Sequence, residues 1–286
     1  MIQNIDVPIQ RDRLWMDENV VYAQVPGWCD RVTDNLRMTV IYHDSGKKDV
    51  KLPCLLWICG GGWKWMDVQS YLPNLMDLVN RGYVLVSAEY QCSSFATFPA
   101  PLKQLKEAVR YIRAHAARYG IDPAEIGVIG ESSGGHLASL IGTTGDRKEF
   151  QEGSCLDQSD QVQAVCSWYT PVALDTKMEV PELQDLVDRF LGTSAAGKAA
   201  AAESADPRTY IDTKTPPFLL LHGTADTLVP IECSELLYNA LREKGVPVDY
   251  YRINGADHAD YPFFQPKVMA IIGEFFDSCL KEKAGH

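Results

Sequence analysis

Short, unbroken apolar blocks recur along this chain, separated by longer stretches in which apolar residues return every three or four positions. Residues 36–42 alternate apolar and polar as an early strand, and residues 53–59, 83–89 and 126–129 are apolar almost throughout. Residues 162–168, 218–222 and 248–253 complete the series. Runs apolar on every position suit strands buried on both faces. Between them, residues 101–119 put Leu102, Leu105, Val109 and Ile112 on one helical stripe, with Gly120 as a stop. Residues 232–244 carry Leu236, Leu237 and Leu241 and halt at Gly245, and residues 263–280 read as a closing amphipathic helix. Strand alternating with helix predicts an α/β protein: a mostly parallel central sheet flanked by helices on both faces. Two polar insertions interrupt the pattern. Residues 149–161 read as a surface loop. Residues 175–207, with a short helix and the Ala-rich stretch 195–202, read as a lid or a surface insertion. Without repeats or a linker, residues 1–286 are expected to form a single domain.

Composition narrows the classes. The 286 residues are 46% hydrophobic, enough for a large core, yet no run approaches the roughly 18 to 20 apolar residues of a membrane span. Met1-Ile2-Gln3-Asn4-Ile5-Asp6 lacks the basic start and apolar run of a secretory signal. A chain complete as given is expected in the cytoplasm; a trimmed secreted form would read the same. The net charge of −11 argues against a nucleic-acid partner. The eight cysteines are scattered, and no C-x-x-C pair occurs, so zinc and redox motifs are unsupported and reduced core thiols are expected.

The chemistry concentrates at Gly130-Glu131-Ser132-Ser133-Gly134, which follows the apolar block Ile126-Gly127-Val128-Ile129 and opens an Ala/Leu helix. A serine on a sharp strand-to-helix turn is held in strained backbone geometry, and glycines let that turn close. Ser132 is the expected nucleophile and Ser133 the donor of a backbone N–H. A serine hydroxyl needs a base, and the base needs an orienting group. Of six histidines, His258 lies between the last strand and the last helix, and Asp226 follows the strand at 218–222. Asp257 and Asp260 flank His258 and are rivals as the acid. Neighbours in a loop rarely reach Nδ1 while leaving Nε2 free, which favours Asp226. The order Ser, Asp, His suits such a site. The strand at 53–59 ends in Gly60-Gly61-Gly62, where Gly61 and Gly62 are candidates to join Ser133 as oxyanion donors. A phosphate loop is disfavoured because no G-K-[ST] follows. Trp63, Trp65, Tyr90 and Trp168 are candidates to line the substrate pocket, with core packing as the competing role.

With Cys59-Gly60-Gly61-Gly62-Trp63, Ser87-Ala88-Glu89-Tyr90, Phe98-Pro99-Ala100, Tyr119-Gly120-Ile121-Asp122-Pro123, Trp168-Tyr169-Thr170-Pro171, Pro216-Pro217-Phe218 and His222-Gly223-Thr224-Ala225-Asp226 all in place, the chain resembles the α/β-hydrolase esterases. It is most similar to the bacterial acetyl xylan esterase and feruloyl esterase-like group, over residues 53–276. The resemblance implies a serine esterase with a catalytic triad, a carbohydrate esterase removing acetyl or other small acyl groups from esters such as acetylated xylan or its oligosaccharides. Such a mechanism requires no metal and no organic cofactor, and its partner is a small-molecule or oligosaccharide ester. Feruloyl esterase, arylformamidase-like and peptidase-like activities are the alternatives, and a catalytically dead binding protein is a more distant one. Cys59 stands where such families often have a histidine that organises the glycine loop.

Overall fold

In a computed structural model, residues 2–8, 12–27, 31–44, 50–175, 180–192 and 197–281 are described. The strands are β1 (Arg13–Pro26), β2 (Thr33–Asp44), β3 (Leu52–Ile58), β4 (Val84–Ala88), β5 (Ile121–Glu131), β6 (Ala164–Trp168), β7 (Phe218–Gly223) and β8 (Val248–Ile253). The helices are α1 (Met76–Asn80), α2 (Ala100–Ala114), α3 (Ala116–Tyr119), α4 (Ser133–Thr143), α5 (Pro181–Leu191), α6 (Lys198–Ser204), α7 (Glu232–Glu243) and α8 (Pro266–Leu280). All eight strands form one sheet in the order β1-β2-β4-β3-β5-β6-β7-β8. From β4 to β8 every pairing is parallel, and β1 and β2 add antiparallel strands at one edge. The α/β expectation holds. Among the described residues, no helix is long and apolar enough to cross a membrane.

The unbroken apolar blocks have a simple cause. Successive side chains of a strand point to opposite faces, and here both faces are covered. Leu56, Val86 and Val128 share one core layer with Leu105 of α2, Leu137 of α4 and Leu237 of α7. Leu55, Leu85 and Ile129 share the other with Leu78 of α1 and Ile272 and Phe276 of α8.

Several boundaries differ from expectation. The helix expected over 101–119 breaks at His115 (φ −107°, ψ 15°) into α2 and α3, and Gly120 ends the second in the left-handed conformation. The closing helix starts at Pro266, after a 3₁₀ turn over Tyr261–Phe264 that Asp260 caps. β1 has no counterpart among the expected strands. Its apolar alternation is interrupted by two register shifts against β2, and most of its side chains are exposed. The expected surface loop at 149–161 is anchored deep: Asp160, fully buried, bridges Lys106 (2.7 Å) and Arg110 (3.3 Å) of α2. Within 175–207, residues 176–179 and 193–196 lie outside the described ones. There the helix α5 buries Leu183, Val187, Phe190 and Leu191 in the core. Of the seven described cysteines, Cys54, Cys59, Cys166 and Cys233 are buried thiols; Cys29 lies outside the described residues.

Candidate active site

Parallel strands all point their C-terminal ends the same way, so the loops that follow them meet on one rim of the sheet. Ile58 pairs with Gly130, Glu131 with Trp168, and Gly223 with Ile253, which sets the ends of β3, β5, β6, β7 and β8 level. At the centre, Ser132 joins β5 to α4 at φ 54°, ψ −124°, a conformation that a non-glycine residue adopts only when its surroundings impose it. Its N–H donates to Trp168 O (2.9 Å), and its carbonyl accepts from His136 N (3.0 Å). A Cβ on Gly134 would stand 2.1 Å from Ile58 O, so only glycine lets the elbow close against the end of β3.

The loops after β7 and β8 complete a relay. His258 Nε2 lies 3.0 Å from Ser132 Oγ, and His258 Nδ1 lies 2.8 Å from Asp226 Oδ2. With Nδ1–H donating to the carboxylate, Nε2 is free to accept the serine proton, a tautomer assigned from this network. Asp226 Oδ1 accepts the N–H groups of Leu228 (2.9 Å) and Val229 (2.8 Å). Burial alone would raise the Asp226 carboxyl, but hydrogen bonds from His222 and His258 and the Val229 N–H hold it well below its ordinary value. Asp226 is therefore an anion facing the imidazole. His222 is fully buried with Nε2 3.2 Å from Asp226 Oδ2 and Nδ1 2.7 Å from Ser234 Oγ. The rival acids are occupied elsewhere. Asp257 accepts from Thr227 N (2.8 Å) and Oγ1 (2.9 Å) and from His258 N (2.7 Å), and Asp260 accepts from Tyr261 N (2.7 Å).

On the β3 side, Gly61 and Gly62 carry positive φ (119° and 61°). Among the described residues neither N–H donates a hydrogen bond to the protein, whereas Gly60 N–H is taken by Glu131 Oε1 at 2.6 Å. Ser133 is the first residue of α4, where N–H groups lack helical partners and the helix dipole favours negative charge. Cys59, in the place of the histidine, is buried. Burial first, then the Glu131 charge, push its thiol up to about 12, so it stays neutral.

The four aromatic candidates separate. Trp63 stacks on Phe190 (4.5 Å), Trp168 packs against Trp57 (5.6 Å) and Phe263 (5.9 Å), and the Tyr90 hydroxyl donates to Cys59 O (3.2 Å). All three are at most 2% exposed, so they are core side chains rather than walls of an open pocket. Trp65 is 71% exposed and borders a cavity of about 390 Å³ with Gly61, Asp67, Ser70, Tyr71 and Glu131. Glu131, Tyr169 and His222 have no place among the residues expected at the site. Tyr169 lays its ring edge-on against His258, with centroids 4.6 Å apart.

A family model described as BD-FAE matches residues 40–241. Esterase LipQ of Mycobacterium tuberculosis is 32% identical over 220 residues, which cover 73% of this chain and 50% of that protein. The chain spans about half the length of the curated relatives it matches. Among solved structures, a truncated carbohydrate esterase from gut microbiota superposes with a TM-score of 0.80 at 23% identity, over 94% of this chain and 97% of that one. Esterase 2 of Thermogutta terrifontis, phosphonylated by sarin, superposes with a TM-score of 0.75 at 25% identity, over 91% and 94%.

Proposed function

The chain belongs to the BD-FAE family of α/β-hydrolases, and on that premise we propose that it is a serine carboxylic-ester hydrolase that removes acetyl or other small acyl groups from carbohydrate esters. One observation carries the reading: Asp226, His258 and Ser132 stand in hydrogen-bond sequence, at 2.8 and 3.0 Å, on a strained strand-to-helix turn.

In this reading Ser132 Oγ attacks the ester carbonyl carbon while its proton passes to His258 Nε2. Asp226 keeps Nδ1–H pointed at itself and stabilises the imidazolium that forms. The carbonyl oxygen, now an anion, accepts from Gly61, Gly62 and Ser133 N–H, each worth about 3 to 4 kcal/mol in the transition state. Collapse breaks the bond to the alcohol oxygen, which takes the proton from Nε2 and leaves an acyl-enzyme. Water then gives its proton to Nε2 as it attacks the acyl carbon. The next collapse returns that proton to Ser132 Oγ and releases the acid. That the related esterase 2 of Thermogutta terrifontis is phosphonylated by sarin fits a nucleophile of this kind.

The carbohydrate half of the proposal draws on the cavity beside Gly61. It sets the exposed Trp65 and the half-buried Tyr71 beside the polar Asp67 and Ser70. Flat aromatic faces with nearby hydroxyl partners suit a sugar ring, apolar on its faces and polar at its edge.

The test is covalent labelling with a fluorophosphonate, followed by a substrate panel. Ser132 is expected to carry the adduct, and Ser132→Ala to lose about 10⁴-fold or more in kcat. Acetylated xylo-oligosaccharides are expected to outpace feruloyl esters and N-formylkynurenine. Full activity in Ser132→Ala would end the proposal, and faster turnover of feruloyl esters would move the substrate class.

A further inference from the structure

Glu131 is the variable residue of the Gly-x-Ser-x-Gly turn, and a carboxylate is a costly choice for it. Its side chain is 4% exposed, and burying a charge without a partner is unfavourable. Among the described residues no lysine or arginine figures in its interactions; the titratable groups around it there are His258, Tyr169, Tyr71, Tyr90 and Cys59. What it does hold is the glycine loop, through the 2.6 Å bond from Gly60 N–H to Oε1. The fit is close on both sides. A Cβ at Gly60 would stand 2.3 Å from Oε1 and 2.6 Å from Cδ, so the carboxylate fills the space that any side chain at position 60 would need.

The opposite flank also reaches the reacting groups. Tyr169 has positive φ (35°), its N–H is fixed to Leu221 O (2.7 Å), and its ring lies against His258. Among the described residues its buried hydroxyl has no partner at good hydrogen-bond geometry, yet burial and then the Glu131 charge hold the phenol well above its ordinary value. Burial likewise pushes the Glu131 carboxyl up, against the lowering effects of Gly60 N–H and His258. Glu131 is thus wedged between the loop that offers Gly61 and Gly62 and the wall that supports the base.

We propose that Glu131 is a positioning residue: by accepting Gly60 N–H it fixes the glycine loop against the elbow, so that Gly61 and Gly62 present their N–H groups to the oxyanion. The proposal rests on the serine-esterase reading. It predicts a loss in kcat and not in KM, because the donors matter most when the carbonyl oxygen is an anion.

Three variants separate contact from charge, with p-nitrophenyl acetate as substrate and thermal melting as the check on folding. Glu131→Gln keeps an oxygen for Gly60 N–H and is expected to retain most of the wild-type kcat. Glu131→Met keeps the length without the acceptor, and Glu131→Asp withdraws the acceptor by one methylene. Both are expected to lose about 10- to 100-fold in kcat, with KM within about twofold. Wild-type kcat in a folded Met or Asp variant would overturn the proposal. So would a Gln variant as slow as the Met one, since charge rather than contact would then be at work. The fluorophosphonate control tells the two failures apart: an unlabelled wild-type Ser132 sinks the esterase reading and this proposal with it. A labelled Ser132 with unchanged variants sinks this proposal alone.

Discussion

Ser132 is held at φ 54° and ψ −124°, a conformation that costs of order 1–3 kcal/mol for a non-glycine residue. The first turn of α4 helps to offset that strain, and it contains His136, which is fully buried. His136 Nε2 lies 2.7 Å from Ala205 O, while Nδ1 has no partner among the described residues. A neutral ring donating through Nε2 satisfies this arrangement; an imidazolium would strand a second N–H. Burial accordingly pulls its pKa from 6.5 down to about 4. The sign follows from which state binds the proton first. Between pH 6.5 and about 4 the unfolded chain is protonated at this residue and the folded one is not, so stability falls as pH falls through that window, by up to about 3 kcal/mol. His136→Gln keeps a donor for Ala205 O and removes the titration. Its urea midpoint is expected to vary less between pH 6.5 and 4 than that of the wild type. The three side chains that the structure brings together were legible because each sits in a turn with its own marks: glycines around Ser132, a strand end before Asp226, the last loop for His258. Glu131 was not, because any residue satisfies the variable position of the turn. Its role depends on Gly60, 71 positions away. For the buried Trp63, Tyr90 and Trp168 pocket lining and core packing both stayed open for a related reason: the sequence records an aromatic side chain but not the direction it faces.

Among the elements, α5 shows the same limit of sequence reasoning. The polar residues around it left a lid or a surface insertion open, without showing that its apolar stripe is seated on the glycine loop. Phe190 stacks on Trp63, and Leu186 Cδ1 stands 2.5 Å from where a Cβ on Gly62 would lie. Phe190→Ala is expected to cost about 3–5 kcal/mol, read from the urea midpoint, by opening a cavity in that seat. It should also slow ester turnover, since Trp63 directly follows Gly62. The same change at Phe275, on the half-buried flank of α8, is expected to cost less. The central strands β3 to β7 were legible because burial on both faces leaves an unbroken apolar run. β1 was not: its register slips against β2 between Asp17 and Val20 and again between Val21 and Ala23, and each slip erases the period that marks a strand.

At the scale of the molecule, the α2 layer is tied to the long 145–161 connection by charge. Lys106 and Arg110 reach from α2 to Asp160, all three fully buried, and Lys106 Nζ also donates to Thr144 O at 2.5 Å. Burial lowers the Lys106 pKa against the pull of Asp160. Removing one member of a buried set leaves the others uncompensated, so Asp160→Leu is expected to cost about 3–5 kcal/mol in thermal or urea unfolding. Adding Lys106→Met should recover part of that loss, and a double variant less stable than Asp160→Leu alone would contradict the account.

The position of β8 has a further consequence, in the order in which things fail on heating. Ser132 and Asp226 follow interior strands, whereas His258 hangs from the edge strand β8, which among the described residues pairs only with β7 and is half exposed along its length. Edges open locally at lower free energy than the centre of a sheet. Turnover should therefore disappear several degrees before the far-UV signal, and return on cooling from that interval. Coincident curves along one temperature ramp would show that the edge and the centre melt together. In the expected case His258, the proposed proton acceptor, is the first part lost, while Ser132 still stands in an otherwise folded sheet.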